Sequence, residues 1–173
     1  MGTFMASASF RRPQQANWTE LKKKIQTMYQ GIERLVDDLA KEQSAHAIIS
    51  PYGDMGMYLQ DIPQRVSALT GDYAIFCMCV DSDFALLELY CNGQLVEKSV
   101  IDCEGITEGI DELAELTTPA LELWTPLLQN PEDEQALQTA FTEAFVFAEE
   151  QLRKISKLTG IPIFDDHMVY ESF

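Results

Sequence analysis

Between Tyr73 and Ile101 three stretches with strand character are separated by turns too short to hold a helix, and no other feature constrains the chain as strongly. The first, Tyr73 to Val80, stops at Asp81-Ser82-Asp83, residues that favour turns. The second, Phe84 to Cys91, meets Asn92-Gly93, which tolerates the positive φ values of a two-residue hairpin, and the third returns as Gln94 to Ile101. Strands joined so tightly run antiparallel. A three-stranded meander is therefore expected, and the rest of the chain must pack on it.

Upstream, Phe4, Ala6, Ala8 and Phe10 alternate with Met5, Ser7 and Ser9, the period of a strand with one buried face. Asn17 and Glu20 then have the spacing of a helix cap and its reciprocal acidic residue. Trp18, Leu21, Ile25, Met28, Ile32, Leu35 and Leu39 step by three and four, predicting an amphipathic helix that covers a sheet. A short strand over residues 45–50 leads into the loop 51–56, and Met57, Leu59, Ile62, Val66 and Leu69 suggest a second helix that Pro63 begins or kinks.

Beyond the meander, Leu113, Leu116, Leu121, Trp124, Leu127 and Leu128 keep helical spacing. A last long helix is expected after Pro131, with Leu137, Phe141, Ala144, Phe145, Ala148, Leu152 and Ile155 on one face, widened by Val146 and Phe147 into a sector that either sits between two layers or forms an oligomer contact. Two segments echo each other, Val66-Ser67-Ala68-Leu69-Thr70-Gly71 and Ile155-Ser156-Lys157-Leu158-Thr159-Gly160; both read as helix ends with glycine just past the last turn. The expected architecture is a single α+β domain over residues 1–173. It has a mixed sheet of about five strands, opening β-α-β-α before the meander, with C-terminal helices packed on it.

Charge narrows the function classes. Twelve basic residues face 28 acidic ones, a net charge of −16, and the segment 99–152 holds thirteen acidic residues and no Lys or Arg. Nucleic acid, which is bound through clustered Lys and Arg, is a poor partner. A basic protein is a good one, because complementary potential speeds encounter and rejects wrong partners. The run Lys22-Lys23-Lys24 reads as the solvated face of the first helix. No apolar run approaches the roughly 20 residues of a membrane-spanning helix, no secretory signal is visible, and the four cysteines are sparse, which together predict a reducing, cytoplasmic setting without a membrane partner. Cys77 and Cys79 share one strand face and read as reduced core thiols.

Chemistry is thinly signalled. The loop 51–56 lacks the Gly-Lys-Ser/Thr ending of a phosphate loop and the three-glycine spacing of a dinucleotide site, there is no nucleophile elbow, and no cofactor is implied. Asp81 and Asp83 read as a solvated turn; Asp165, Asp166 and His167 are a second acidic group that folding would have to bring to a partner. Zinc bound by Cys77, Cys79, Cys91, Cys103, His46 and His167 has no supporting spacing. Tyr52, Asp54, Met55, Met57 and Tyr58 instead form a recognition-rich surface, and Glu108, Asp111, Glu112 and Glu115 head the acidic segment. These nine residues are the expected partner-binding set. The function they suggest is docking to a basic protein, in its sharpest form as an immunity or antitoxin-like neutraliser of a nuclease-type toxin. The alternative is a small metal-assisted hydrolase using Asp54, Asp81, Asp83, Asp165 or His167.

Overall fold

A computed structural model describes residues 5–11, 18–28, 44–48, 55–103, 105, 107, 115–143 and 146–164. Its strands are β1 (Met5–Phe10), β2 (Ser44–Ile48), β3 (Tyr73–Val80), β4 (Phe84–Cys91) and β5 (Gln94–Asp102). Its helices are α1 (Trp18–Met28), α2 (Met55–Thr70), α3 (Leu121–Trp124), α4 (Glu134–Thr142) and α5 (Ala148–Thr159), with short 3-10 turns at Glu115–Thr117, Thr125–Leu127 and Pro131–Asp133. The fold is α+β.

The sheet runs in the order β2-β1-β3-β4-β5, and each pairing is antiparallel, not mixed as the sequence suggested. The reason lies in β1. Both β2 and β3 pair antiparallel to it, so they run parallel to each other without touching, and α2 crosses over β1 to join them. A strand-helix-strand unit ordinarily places its two strands side by side in parallel; here β1 occupies the slot between them.

Alternation within β3 and β4 sends side chains to two separate cores. On one face Ile75, Cys77, Cys79, Ala85, Leu87, Leu89 and Ile101 pack under Trp124, Leu127, Leu137, Phe141, Leu152 and Ile155. On the other, Ala6, Ala8, Phe10, Ala74, Phe76 and Tyr90 pack under Leu21, Ile25, Leu59, Ile62 and Val66. The C-terminal helices therefore cover one side of the sheet, while α1 and α2 cover the other.

This double cover corrects the expected single buried face of β1, all six of whose residues are buried. Ser7 and Ser9 lie against the C-terminal side, where a buried hydroxyl needs a partner. The Ser7 Oγ donates to the Ile163 carbonyl at 2.9 Å and the Ser9 Oγ to the Pro162 carbonyl at 2.6 Å. Arg11, just past the strand, donates to the carbonyls of Leu127 and Thr159, satisfying a helix-terminal acceptor that has no partner within its own helix.

Two helix expectations also change. Pro63 does not begin α2 but lies inside it, and Leu69 is partly exposed on its surface. The last long helix is two helices. Glu143 is extended (φ −72°, ψ 137°) and so is Phe147 (φ −134°, ψ 135°), interrupting the path between α4 and α5. Thr142, Phe145, Val146 and Phe147 are all modest helix formers, so local propensity resists the break only weakly. Tertiary contacts then hold the second start in place: the Ala148 N–H donates to the Ser82 carbonyl at 2.6 Å and the Gln151 Nε2 to the Glu143 carbonyl at 2.7 Å. The spacing around Leu116 to Leu128 likewise resolves into two 3-10 turns flanking the one-turn α3, in place of a longer helix.

Candidate functional site

The C-terminal layer carries the described residues of the acidic segment from 115 onward. Glu115, Glu122, Glu132, Glu134, Glu143 and Glu150 are exposed, spread over the 3-10 turns, α3, α4 and α5 and the end of α4. Their exposure follows from the helical repeat, which turns Trp124, Leu137, Phe141 and Leu152 inward and leaves the charged positions outside. Lys154 of α5 reaches Glu143 at 3.3 Å, with both side chains about half exposed, a pair worth little in water. Lys and Arg are absent from the sequence between 99 and 152, and the basic residues of this layer, Arg153, Lys154 and Lys157, all lie in α5 beyond residue 152, so exposed carboxylates outnumber cations on its outer surface.

Two other carboxylates, Glu88 and Glu149, are buried and a third, Glu97, is half-buried, and sequence reasoning missed all of them. Glu88, 3% exposed, accepts from the Tyr90 hydroxyl at 2.8 Å and pairs with Lys98 at 3.1 Å across the β4–β5 ladder, on the side covered by α2. Glu97, on the opposite face of β5, accepts from the Ala120 N–H and the Trp124 indole N–H; burial raises its pKa, against the lowering effect of those donors. Glu149, in the first turn of α5, accepts from the Ser82 hydroxyl at 2.5 Å. Each ties elements together. The alternation Leu87-Glu88-Leu89 signalled only that Glu88 leaves one face; it did not reveal that a helix covers the other.

The expected binding residues do not assemble into one described site. Tyr52, Asp54, Glu108, Asp111 and Glu112 lie outside the described residues, as do Asp165, Asp166 and His167. Met55, Met57 and Tyr58 belong to the first turn of α2. Glu115 opens the 3-10 turn next to β5 and is exposed. Asp81 and Ser82 take positive φ (52° and 65°) in the β3–β4 turn, with Asp83 beside them, and the Ser82 carbonyl anchors the start of α5. This turn therefore has a structural role.

Among the described residues no three His, Cys, Asp or Glu side chains are grouped to hold a metal ion. Cys77 and Cys79 are buried in the C-terminal-side core. Burial pushes the Cys77 thiol well up; burial first, then the nearby Glu149 carboxylate, pushes Cys79 up to about 12. A thiolate is the reactive form, so neither group is a nucleophile near neutral pH. No described helix is long and apolar enough to cross a membrane. No family model, curated protein or solved structure matches the chain.

Proposed function

We propose that this is a protein-binding protein that docks a basic protein partner through the outer surface of its C-terminal helical layer. The observation that carries the reading is the exposure of Glu115, Glu122, Glu132, Glu134, Glu143 and Glu150 over a stretch of sequence without Lys or Arg. An excess of one sign costs self-repulsion, and a basic partner relieves it while gaining rate and selectivity of encounter. The sharper form, neutralisation of a basic toxin, rests on the same surface. No carboxylate grouping among the described residues favours the hydrolytic alternative.

The test is capture by the tagged protein from its source cells, at about 50 mM and about 500 mM salt, where screening shortens the range of exposed charges. The expected result is a basic protein retained at low salt, released at high salt, and lost from the triple variant Glu132→Lys, Glu134→Lys, Glu150→Lys. Retention indifferent to both salt and charge reversal would sink the proposal, as would the absence of any basic protein.

A further inference from the structure

Large apolar side chains on a folded surface are commonplace singly, but two in succession on a tethered backbone are a different matter. Val146 is 71% exposed and Phe147 49% exposed, in the segment that separates α4 from α5. The backbone at Phe147 and just after it is held. The Phe147 carbonyl accepts from the Glu150 N–H at 3.1 Å, Ala148 is tied to the β3–β4 turn, and Gln151 is tied back to Glu143. An exposed aromatic residue on backbone tied at its own carbonyl and at the next N–H loses little backbone entropy when it is covered, which is what a binding anchor requires. Its flanks are Glu143, which pairs with Lys154 at 3.3 Å, and the exposed Glu150, and the turn to which Ala148 is tied carries Asp81 and Asp83.

We infer that Val146 and Phe147 are the apolar anchor of the docking surface, and that the partner presents an apolar contact patch ringed by Lys and Arg. This inference rests on the reading above and deepens it. Charge complementarity selects the occupant: around the pair Asp81, Asp83, Glu143 and Glu150 outnumber Lys154 and match a basic rim, whereas a second copy of a chain with net charge −16 would bring like charge to the same rim. An aromatic residue at the centre with charges at the margin is also the usual division of energy in protein interfaces, where a few buried large side chains dominate.

The probe is a pair of synthetic helical peptides, one with a Leu stripe along a Lys face and the other with each Leu replaced by Ser. Affinity is measured by fluorescence anisotropy at low salt. The wild-type chain is expected to bind the Leu/Lys peptide at least about tenfold more tightly than the Ser/Lys peptide, the ratio expected from covering one large side chain. Val146→Ser with Phe147→Ser should abolish that preference and leave binding of the Ser/Lys peptide unchanged. Glu143→Gln with Glu150→Gln should weaken both peptides. All four positions are surface-exposed, and far-ultraviolet circular dichroism checks that the variants fold. Binding of both peptides with equal affinity, or a preference that survives Val146→Ser with Phe147→Ser, overturns the anchor while leaving the acidic docking surface standing. Binding of neither peptide overturns both. Dimerisation lost in the Val146→Ser, Phe147→Ser variant assigns the pair to self-association and overturns the inference.

Discussion

The ends of α2 and α5 lie on opposite faces of the sheet, yet they are built from the same letters. Each helix stops at Ser-x-Leu-Thr-Gly, with the glycine in the left-handed region (Gly71 φ 69°, Gly160 φ 68°) and its N–H donating at 2.9 Å to the carbonyl of the serine, Ser67 or Ser156. In each the threonine hydroxyl accepts from the N–H two residues on, Asp72 or Ile161, at 3.2 Å. The difference lies in what the serine hydroxyl holds. Ser67 accepts from one backbone donor, the Gly93 N–H of the β4–β5 turn, at 3.0 Å. Ser156 accepts from two, the Ile163 and Phe164 N–H groups, each at 3.1 Å. One device thus anchors a hairpin tip and the other folds a returning chain under the sheet. The shared sequence specifies how the helix stops, while the surroundings decide what is fastened there.

Loss of the serine hydroxyl should separate the two sites most. Ser156→Ala strands the Phe164 N–H and leaves the Ile163 N–H with only the Ile161 carbonyl at 2.8 Å, which should cost about 2–3 kcal/mol, while Ser67→Ala strands the Gly93 N–H alone and should cost about 1–2 kcal/mol. Urea unfolding with an unchanged m-value measures both. Equal costs would show that the two anchors carry the same load, contrary to the hydrogen-bond pattern.

The glycines give a smaller contrast. A Cβ at position 71 would meet Asn92 Oδ1 at 3.6 Å, an ordinary contact, so Gly71→Ala should cost only the left-handed backbone, about 1–2 kcal/mol. A Cβ at position 160 would lie 2.8 Å from Gln129 Nε2, which donates to the Lys157 carbonyl. Gly160→Ala should therefore cost more than Gly71→Ala, by up to about 1 kcal/mol for the displaced hydrogen bond. In a Gln129→Ala background that excess should vanish. Persistence of the gap in thermal melts of the double variant would assign it to something other than Gln129.

The faint end of the series concerns pH. On the α2 side Glu88 is offset by Lys98, whereas on the α5 side Glu97 has only neutral donors and a pKa raised by burial. A carboxyl whose folded pKa lies above its unfolded value favours folding fully below the ordinary carboxylate range and loses that contribution as pH rises through the raised value. Stability should thus decline across that window in the wild type, and Glu97→Gln should flatten the decline. A pH series of unfolding midpoints checks this; an unaltered slope would remove Glu97 as its source.

The sequence made some of this comparison legible in advance. The repeated Leu-Thr-Gly marked both helix ends, and Asn92-Gly93 marked the turn that Ser67 holds, because turn chemistry is local and backbone-encoded. The insertion of β1 between two parallel strands was not legible, since strand order depends on which faces meet and not on period. The break between α4 and α5 was hidden as well: Phe141, Ala144, Phe145 and Ala148 maintain helical spacing across it, and only the tie of Ala148 to Ser82, 66 residues earlier, reveals why the path turns. Of the expected binding residues, Glu115 lies exposed on a 3-10 turn without a buried residue, and Phe147, expected on the widened face of one long helix, is half-exposed just before α5.

The hydroxyl of Ser7 finds its acceptor 156 residues away in the chain, at Ile163. During synthesis, at about 5–20 residues per second, the ribosome makes β1 roughly 8–30 s before the segment that closes over it. Until then the strand's C-terminal side has no cover, and its serines must stay with water. β1 is an interior strand of the sheet, so the nascent chain can complete the α1 and α2 side early but must hold the other side open until residues 162 and 163 have emerged.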